Sequence, residues 1–111
     1  MNIQVNKHQL ERVVVKWLNK KYSNLTPKTI EKYPNSVFYV NSDNEVIVEY
    51  NNEIKRAYVS EIWTIIESLF HLNSNDIQKI IAVFLKETYN LEGTASVFRS
   101  GIYDLANMEN D

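Results

Sequence analysis

The spacing of apolar residues changes twice along the chain, and this change limits the folds that are open to it. From Ser36 to Val59, β-branched and aromatic residues are concentrated in three short runs, separated by the polar segments 42–44 and 51–53. Such runs favour extended strands, and short polar turns between them favour antiparallel hairpins. On both sides of this region, apolar residues recur at the spacing of an α-helix. The pattern predicts a three-stranded antiparallel meander between helical segments.

The first helix is predicted by a capping signal that precedes an apolar stripe. Asn6 is a favoured N-cap residue, and Gln9 stands three positions later, where it completes a capping box. We therefore expect a helix over residues 7–22. Pro27 then disfavours helical backbone at the preceding residue, and we expect Thr26 to cap a short helical turn that starts at Pro27.

Two further helices are predicted after the meander. Ser60 precedes the first of them, and the polar hinge at residues 72–76 separates it from the second. The second is expected to reach Leu91, with Gly93 in the position of a left-handed C-terminal cap. The residues expected at the centre of the core are Trp63, Ile66, Phe70, Ile80 and Phe84.

Together these elements predict an α+β fold of order α-β-β-β-α-α, in which three main helices pack against one face of the meander. The chain has 111 residues, 44% of them hydrophobic, which suffices for one core. We expect residues 1–93 to form a single domain. Residues 94–111 are expected to form a C-terminal tail that is partly ordered or folds back on the sheet.

Composition excludes several classes of chemistry. The chain has no Cys, which excludes disulfides, thiolate metal sites and thiol catalysis. It has two His and two Gly, and neither glycine lies in a phosphate-binding loop or a nucleophile elbow. We therefore expect no catalytic residue, no metal site and no cofactor, and a small enzyme is only the third hypothesis. No apolar run approaches the ~20 residues that span a membrane, so we expect a cytoplasmic protein.

Strand register divides the side chains of the predicted meander between two faces. A two-residue turn at residues 43–44 sets Val40 opposite Ile47. A cross-strand charge pair of Glu49 with Arg56 sets the register of the third strand. The uniformly apolar face, which we expect to take the helices, carries Val37, Val46, Val48 and Val59.

The opposite face of the meander lacks the row of polar residues that a solvated face normally carries. We expect it to be covered by the tail, by a second copy of the chain or by a partner protein. The expected partner-binding residues on this face and in the tail are Phe38, Val40, Ile47, Arg56, Tyr58, Phe98, Ile102 and Tyr103.

Basic residues are concentrated in the first third of the chain. Residues 1–32 carry seven Lys or Arg against two Glu. Lysine neutralises phosphate, and the interleaved Tyr22 and Tyr33 could stack on bases. A solvated lysine-rich surface would have the same composition. The alternative nucleic-acid face consists of Lys16, Lys20, Lys28 and Lys32.

Four segments carry a resemblance to a known group of proteins: Gln9-Leu10-Glu11-Arg12-Val13, Ser36-Val37-Phe38-Tyr39, Glu61-Ile62-Trp63 and Glu87-Thr88-Tyr89-Asn90-Leu91. Over residues 6–91 the chain resembles small uncharacterised accessory proteins of tailed bacteriophages. The resemblance implies an accessory protein that acts on a host factor in the cytoplasm of the host cell. It transfers no site residue.

The leading hypothesis is a non-enzymatic protein-interaction module of the accessory or inhibitor type, whose partner is another protein or a second copy of the chain. The alternative is a nucleic-acid-binding accessory protein that uses the basic face of the first helix. An apolar patch exposed on the folded chain would favour the first hypothesis. Binding that weakens steeply with salt would favour the second.

Overall fold

A capped helix opens the described part of the chain, which in this computed structural model comprises residues 6–97 and the backbone of residues 103–104. Helix α1 spans Lys7–Tyr22. The Asn6 side chain accepts a hydrogen bond from the Gln9 amide at 2.8 Å, and the Gln9 side chain accepts one from the Asn6 amide at 3.1 Å. These bonds satisfy N–H groups that have no partner within the helix. The predicted capping box and helix are confirmed.

Six strands form one mixed sheet. Their bounds are β1 Thr26–Lys28, β2 Ser36–Val40, β3 Glu45–Asn51, β4 Arg56–Val59, β5 Thr94–Val97 and β6 Tyr103–Asp104. The order across the sheet is β1-β2-β3-β4-β5, and β6 pairs with the first two residues of β3. Neighbouring strands are antiparallel except for β4 and β5, which are parallel.

The fold is therefore α+β with three helices, as predicted, but the sheet is larger than the predicted three-stranded meander. The helical turn predicted at Pro27 is wrong, because β1 is extended and pairs Pro27 with Tyr39. Residues 94–97, which the sequence analysis placed in the tail, form β5. The element order is α-β-β-β-β-α-α-β-β. Three or four residues are too few to show a hydrophobic period, so the two edge strands were not predicted.

A β-bulge interrupts the pairing of β2 with β3. Tyr39 lies opposite Val48, as predicted. Val40, however, lies opposite Val46 instead of Ile47. Ile47 is the extra residue, and an extra residue exchanges the two faces on one side of the bulge. Ile47 and Val48 consequently both pack on the helix-covered face, whereas Val46, predicted for that face, packs on the opposite one.

The register of β3 with β4 differs from the predicted one by two residues. Arg56 pairs with Asn51 instead of Glu49. The side-chain oxygen of Asn51 accepts hydrogen bonds from the amides of residues 53 and 54, at 2.9 and 3.2 Å. These bonds hold both residues in a turn, so β4 begins later than predicted. A shift of two residues leaves every side chain of β4 on its predicted face.

Two helices connect β4 to β5. Helix α2 spans Glu61–Phe70 and helix α3 spans Ser74–Tyr89. The Asn73 side chain caps α3 by accepting a hydrogen bond from the amide of its third residue at 2.9 Å. Asn90 ends α3 in the left-handed conformation that the sequence analysis assigned to Gly93. That assignment is wrong in position by three residues.

Gly93 has a different structural role. Its φ angle is +111°, and a Cβ atom at this position would collide with the backbone carbonyl of Lys55 in the turn between β3 and β4. The Thr94 amide donates a hydrogen bond to the same carbonyl at 3.1 Å. Gly93 therefore allows the chain to enter β5 in close contact with the neighbouring turn.

The helices cover one face of the sheet. Helices α1 and α3 run parallel, because Lys7 lies 3.9 Å from Asp76 near their first turns and Thr88 donates a hydrogen bond to Asn19 at 3.1 Å near their last turns. Helix α2 runs in the opposite direction to both. The core beneath them includes the predicted residues Ile66, Ile80 and Phe84, which are buried.

Two of the five residues predicted for the core centre are only partly buried. Trp63 and Phe70 pack against the edge of the core and keep part of their surface in solvent. They are seven positions apart on α2, which places them on the same side of that helix. The Phe70 ring contacts Trp17 of α1, so this side of α2 faces the space between α1 and α2. The prediction of full burial is wrong because this space is open to solvent.

Candidate functional site

The sheet face opposite the helices is covered by side chains of the same chain. Phe38, Val40 and Val46 are buried on this face. Ile30, from the loop between β1 and β2, packs against them. Tyr33 of the same loop places its ring 6.2 Å from that of Phe38. Phe38 and Val40, which were predicted to bind a partner, are therefore not accessible on the folded chain.

The other predicted partner-binding residues lie in different surroundings. Ile47 is buried on the helix-covered face, Arg56 is exposed and Tyr58 is partly buried. Outside the described residues lie the side chains of Phe98, Ile102 and Tyr103. The described members of the predicted set therefore do not form one exposed surface.

The four lysines of the alternative nucleic-acid face are all exposed, but they lie on different sides of the sheet. Lys16 and Lys20 project from α1, which packs on the helix-covered face. Lys32 lies 5.8 Å from the ring centroid of Tyr33, whose ring packs against the opposite face. Lys28 belongs to the edge strand β1. The sheet therefore separates Lys32 from the lysines of α1.

Two aromatic rings meet where α1 faces the end of α2. The centroids of Trp17 and Phe70 lie 5.9 Å apart, with their planes at 76°, in an edge-to-face contact. Val13 lies one turn before Trp17 and is 56% exposed. Lys21 lies one turn after Trp17 and places its ammonium group 5.5 Å from the indole centroid. A partly exposed apolar strip thus runs along this side of α1.

Two further side chains extend this strip towards the beginning of α1. Leu10 of α1 and Leu72, which follows α2, are partly buried and line the same cleft. We call this strip the α1–α2 apolar surface; it consists of Leu10, Val13, Trp17, Phe70 and Leu72.

The α1–α2 apolar surface leads into a cleft between the first turns of α1 and α3. The cleft has a volume of about 400 Å³. Its apolar floor is formed by Leu10, Leu72 and Ile80. Its charged and polar rim is formed by Lys7, His8, Glu11, Asp76 and Lys79. An apolar floor with a few polar groups around it is the usual form of a binding pocket.

The carboxylates of the rim are much less exposed than its basic side chains. The Glu11 side chain is 13% exposed, whereas the side chains of His8 and Lys79 are 81% and 71% exposed. A nitrogen atom of each of these two side chains lies 3.9 Å from the Glu11 carboxylate, a distance too long for a hydrogen bond. The Asp76 carboxylate likewise lies 3.9 Å from the Lys7 ammonium group, and it is the less exposed side chain of the two. A ligand that enters the cleft therefore meets carboxylates at its wall, while the cations extend into solvent.

Tyrosine hydroxyls connect the helices beneath this surface. Tyr22 donates a hydrogen bond to the carboxylate of Glu61 at 2.9 Å, which joins the end of α1 to the start of α2. Tyr89 donates to the Tyr22 carbonyl and accepts from the Leu25 amide. Burial raises the pKa of Tyr22, and the hydrogen bond to Glu61 raises it further. Burial also raises the pKa of Tyr89. The bond of Tyr22 thus joins α1 to α2, and the bonds of Tyr89 join the end of α3 to the end of α1.

Other kinds of site find no support in the described residues. Among residues 6–97 and 103–104, no group of three or more His, Asp or Glu side chains could hold a metal ion. In the same residues, each helix is too short or too polar to cross a lipid bilayer.

The sequence analysis did not place the cleft residues in a site, although one signal for them was present. Glu11 stands three positions before Val14 and seven before Leu18, and both of these residues are buried. This spacing aligns a carboxylate with the apolar stripe of α1. A charged residue within an apolar stripe is a signal by which Glu11 could have been singled out. The contribution of Leu72 depends on how α2 meets α1, which residue spacing does not reveal.

Comparisons of the chain with protein-family models, with curated proteins and with solved structures found no match. The candidate site is accordingly assigned from the geometry and chemistry of its own residues.

Proposed function

We propose that the protein is a non-enzymatic interaction module that binds a segment of another protein through the α1–α2 apolar surface. The observation that carries this proposal is the edge-to-face pair of Trp17 and Phe70 beside Val13, which is 56% exposed. Large aromatic side chains are enriched among the residues that contribute most to binding. Apolar side chains that keep part of their surface in solvent lose that contact with water when a partner binds.

The charges around the surface favour an amphipathic partner segment. Lys16 and Lys20 are exposed on α1 near Trp17, and the carboxylate of Glu11 lies at the other end, in the cleft. Leu10 and Trp17 are seven residues apart on α1, a length of about 10 Å, which matches two turns of a partner helix. The partner segment would carry an apolar face, acidic residues towards the lysines and a basic residue towards the cleft.

The proposed activity agrees with the setting that the phage resemblance implies, in which the protein acts on a host factor. Binding of nucleic acid is the second candidate. It ranks lower because the sheet lies between Lys32 and the lysines of α1, so the four basic residues do not form a continuous face.

Site-specific photo-crosslinking tests the proposal. A benzophenone amino acid is introduced at position 13, and a matched control carries it at position 54 in the turn between β3 and β4. Val13 and Ile54 have nearly equal exposure, 56% and 54%. In extracts of the organism that encodes the chain, we expect position 13 to crosslink to one protein that position 54 does not reach. With that protein purified, Val13→Glu should weaken binding by about tenfold or more, whereas Ile54→Glu should leave it unchanged.

Three results would contradict the proposal. A protein that crosslinks equally at positions 13 and 54 would show that the α1–α2 apolar surface is not selective. A crosslink from position 13 to nucleic acid would favour the second candidate function. A crosslink from position 13 only to another copy of the chain would replace the proposed partner with self-association.

A further inference from the structure

We propose that the cleft between the first turns of α1 and α3 is an anchor pocket for an arginine side chain of the bound segment. This inference rests on the proposed function, because it names the residue with which the partner enters the cleft. An arginine combines a methylene stem with a planar guanidinium group that carries five N–H donors. The apolar floor of the cleft suits the stem, and the carboxylates of its wall suit the guanidinium group.

The floor provides the apolar part of the pocket. Leu10, Leu72 and Ile80 come from three different segments: α1, the hinge after α2 and α3. Their convergence forms a cleft of about 400 Å³, within the size range of pockets that accept small molecules. Long basic side chains bury their methylene stems on such apolar surfaces while the charged end finds a polar partner.

The wall provides the charge that selects a cation. The Glu11 side chain is 13% exposed, and nitrogen atoms of His8 and Lys79 lie 3.9 Å from its carboxylate. At 3.9 Å, these side chains and the Lys7 ammonium group beside Asp76 are too far away to make hydrogen bonds to the two carboxylates. Loose pairs with exposed lysines contribute little to stability, so they are readily displaced. A guanidinium group would provide the missing donors in the geometry that carboxylates prefer.

The least exposed charges of the rim are carboxylates: the side chains of Glu11 and Asp76 are 13% and 28% exposed. The side chains of Lys7 and Lys79 are 88% and 71% exposed and keep most of their contact with water. Because the carboxylates are less exposed than the ammonium groups, we expect the cleft to prefer a positively charged group.

Titration of the full chain with small probes tests the pocket without the partner. The probe is butylguanidinium, and pentanoate and pentanol serve as anionic and neutral probes of similar length. We expect butylguanidinium to shift the amide NMR signals of residues 10, 11, 72 and 80 and to bind more tightly than either comparison probe. Glu11→Gln should weaken its binding by about tenfold, because a hydrogen-bonded charge pair is lost. Glu67→Gln, a change at an exposed carboxylate on α2, should have no effect.

The outcomes separate this inference from the proposed function. Unchanged binding to the Glu11→Gln variant, a preference for pentanoate, or no shift with butylguanidinium would overturn the anchor pocket. None of these results affects crosslinking at position 13, which tests the α1–α2 apolar surface by itself. Unchanged signals elsewhere in the spectrum of Glu11→Gln would show that the variant keeps its fold.

Discussion

The two faces of the sheet are covered in different ways. On one face, α1, α2 and α3 pack over strand residues such as Val48 and Val59, in a cluster that extends through the helices. On the other face, Ile30 of an irregular loop packs over Phe38 and Val46. Helices supply a rigid cover with a regular spacing of side chains, whereas a loop can adjust to the strands beneath it. The comparison suggests that the two faces differ in how much they contribute to stability.

The bulge in β3 determines which side chains lie under the helices and which lie under the loop. In the bulge-free register that the sequence predicts, Ile47 would point towards the loop and Val46 towards the helices. With the bulge, the larger side chain enters the helix-covered core and the smaller one lies under the loop. The bulge therefore distributes apolar volume between two spaces of different size, as bulges that re-aim side chains commonly do.

The largest effect is expected on the helix-covered face. Phe84 of α3 is fully buried in the main cluster. Phe84→Ala should lower the free energy of unfolding by about 4 kcal/mol, because it removes a large buried side chain and leaves a cavity that packed helices cannot fill. Urea denaturation measures the change. A midpoint close to that of the unmodified protein would show that the helix layer is not the main source of stability.

A somewhat smaller effect is expected on the loop-covered face. Phe38 is also fully buried, but it packs against Ile30 and Tyr33 of the loop. Phe38→Ala should lower the free energy of unfolding by about 3 kcal/mol, because the loop can partly collapse into the space. The same urea experiment applies. If the loss equalled or exceeded that of Phe84→Ala, the two covers would be equally rigid and the comparison would fail.

Deletion of Ile47 tests the bulge itself. Removing this residue leaves Tyr39 opposite Val48 and Val40 opposite Val46, so the hairpin keeps its register without a bulge. We expect a folded protein that is less stable by about 2 kcal/mol, since one buried aliphatic side chain is lost. Backbone NMR contacts between Val40 and Val46 would verify the register. An unfolded variant, or one in which these two residues no longer pair, would show that the bulge is needed for the fold.

Truncation at the α1–α2 apolar surface should affect stability less. Phe70 is only partly buried, so Phe70→Ala should lower the free energy of unfolding by about 1–2 kcal/mol, clearly less than Phe84→Ala. The urea midpoints of the two variants give the comparison. A loss as large as that of Phe84→Ala would mean that Phe70 belongs to the core and is not available to a partner.

Alkaline pH tests the tyrosines of the helix-covered side. Burial raises the pKa of Tyr22 and Tyr39 above their ordinary value of 10.0. The unfolded chain therefore loses these protons at a lower pH than the folded chain. The stability that these two protonated tyrosines contribute is fully present below about pH 10. It is lost as the pH rises through their raised pKa values. Tyr22→Phe should make this loss shallower, as measured by urea midpoints between about pH 8 and about pH 11. An unchanged slope would contradict the role of Tyr22.

The regular elements of the fold could be predicted because their signals are local. Asn6 and Gln9 are three positions apart and form the capping box that their types indicate. The positions of β1 and β5 could not be predicted, because each is a short strand whose conformation depends on pairing with a distant neighbour. The bulge at Ile47 could not be predicted for a related reason. The registers with and without the bulge both bury apolar residues, and packing against the helices and the loop decides between them.

The candidate site was less predictable than the fold. The residue types at Trp17 and Phe70 indicate a core, and only the spacing of α1 from α2 leaves them partly in solvent. Glu11 lies in the apolar stripe of α1 and could have been singled out. That Glu11 and Leu72 line the same cleft, however, can be recognised only from the tertiary structure.

Pro27 on the outer strand β1 has a consequence for how copies of the chain can associate. A proline has no backbone N–H, so a strand from another molecule that added to this edge would lack a hydrogen bond at its centre. Edge strands interrupted in this way are poor templates for extending a sheet. The proline therefore disfavours the growth of intermolecular β-structure from this edge.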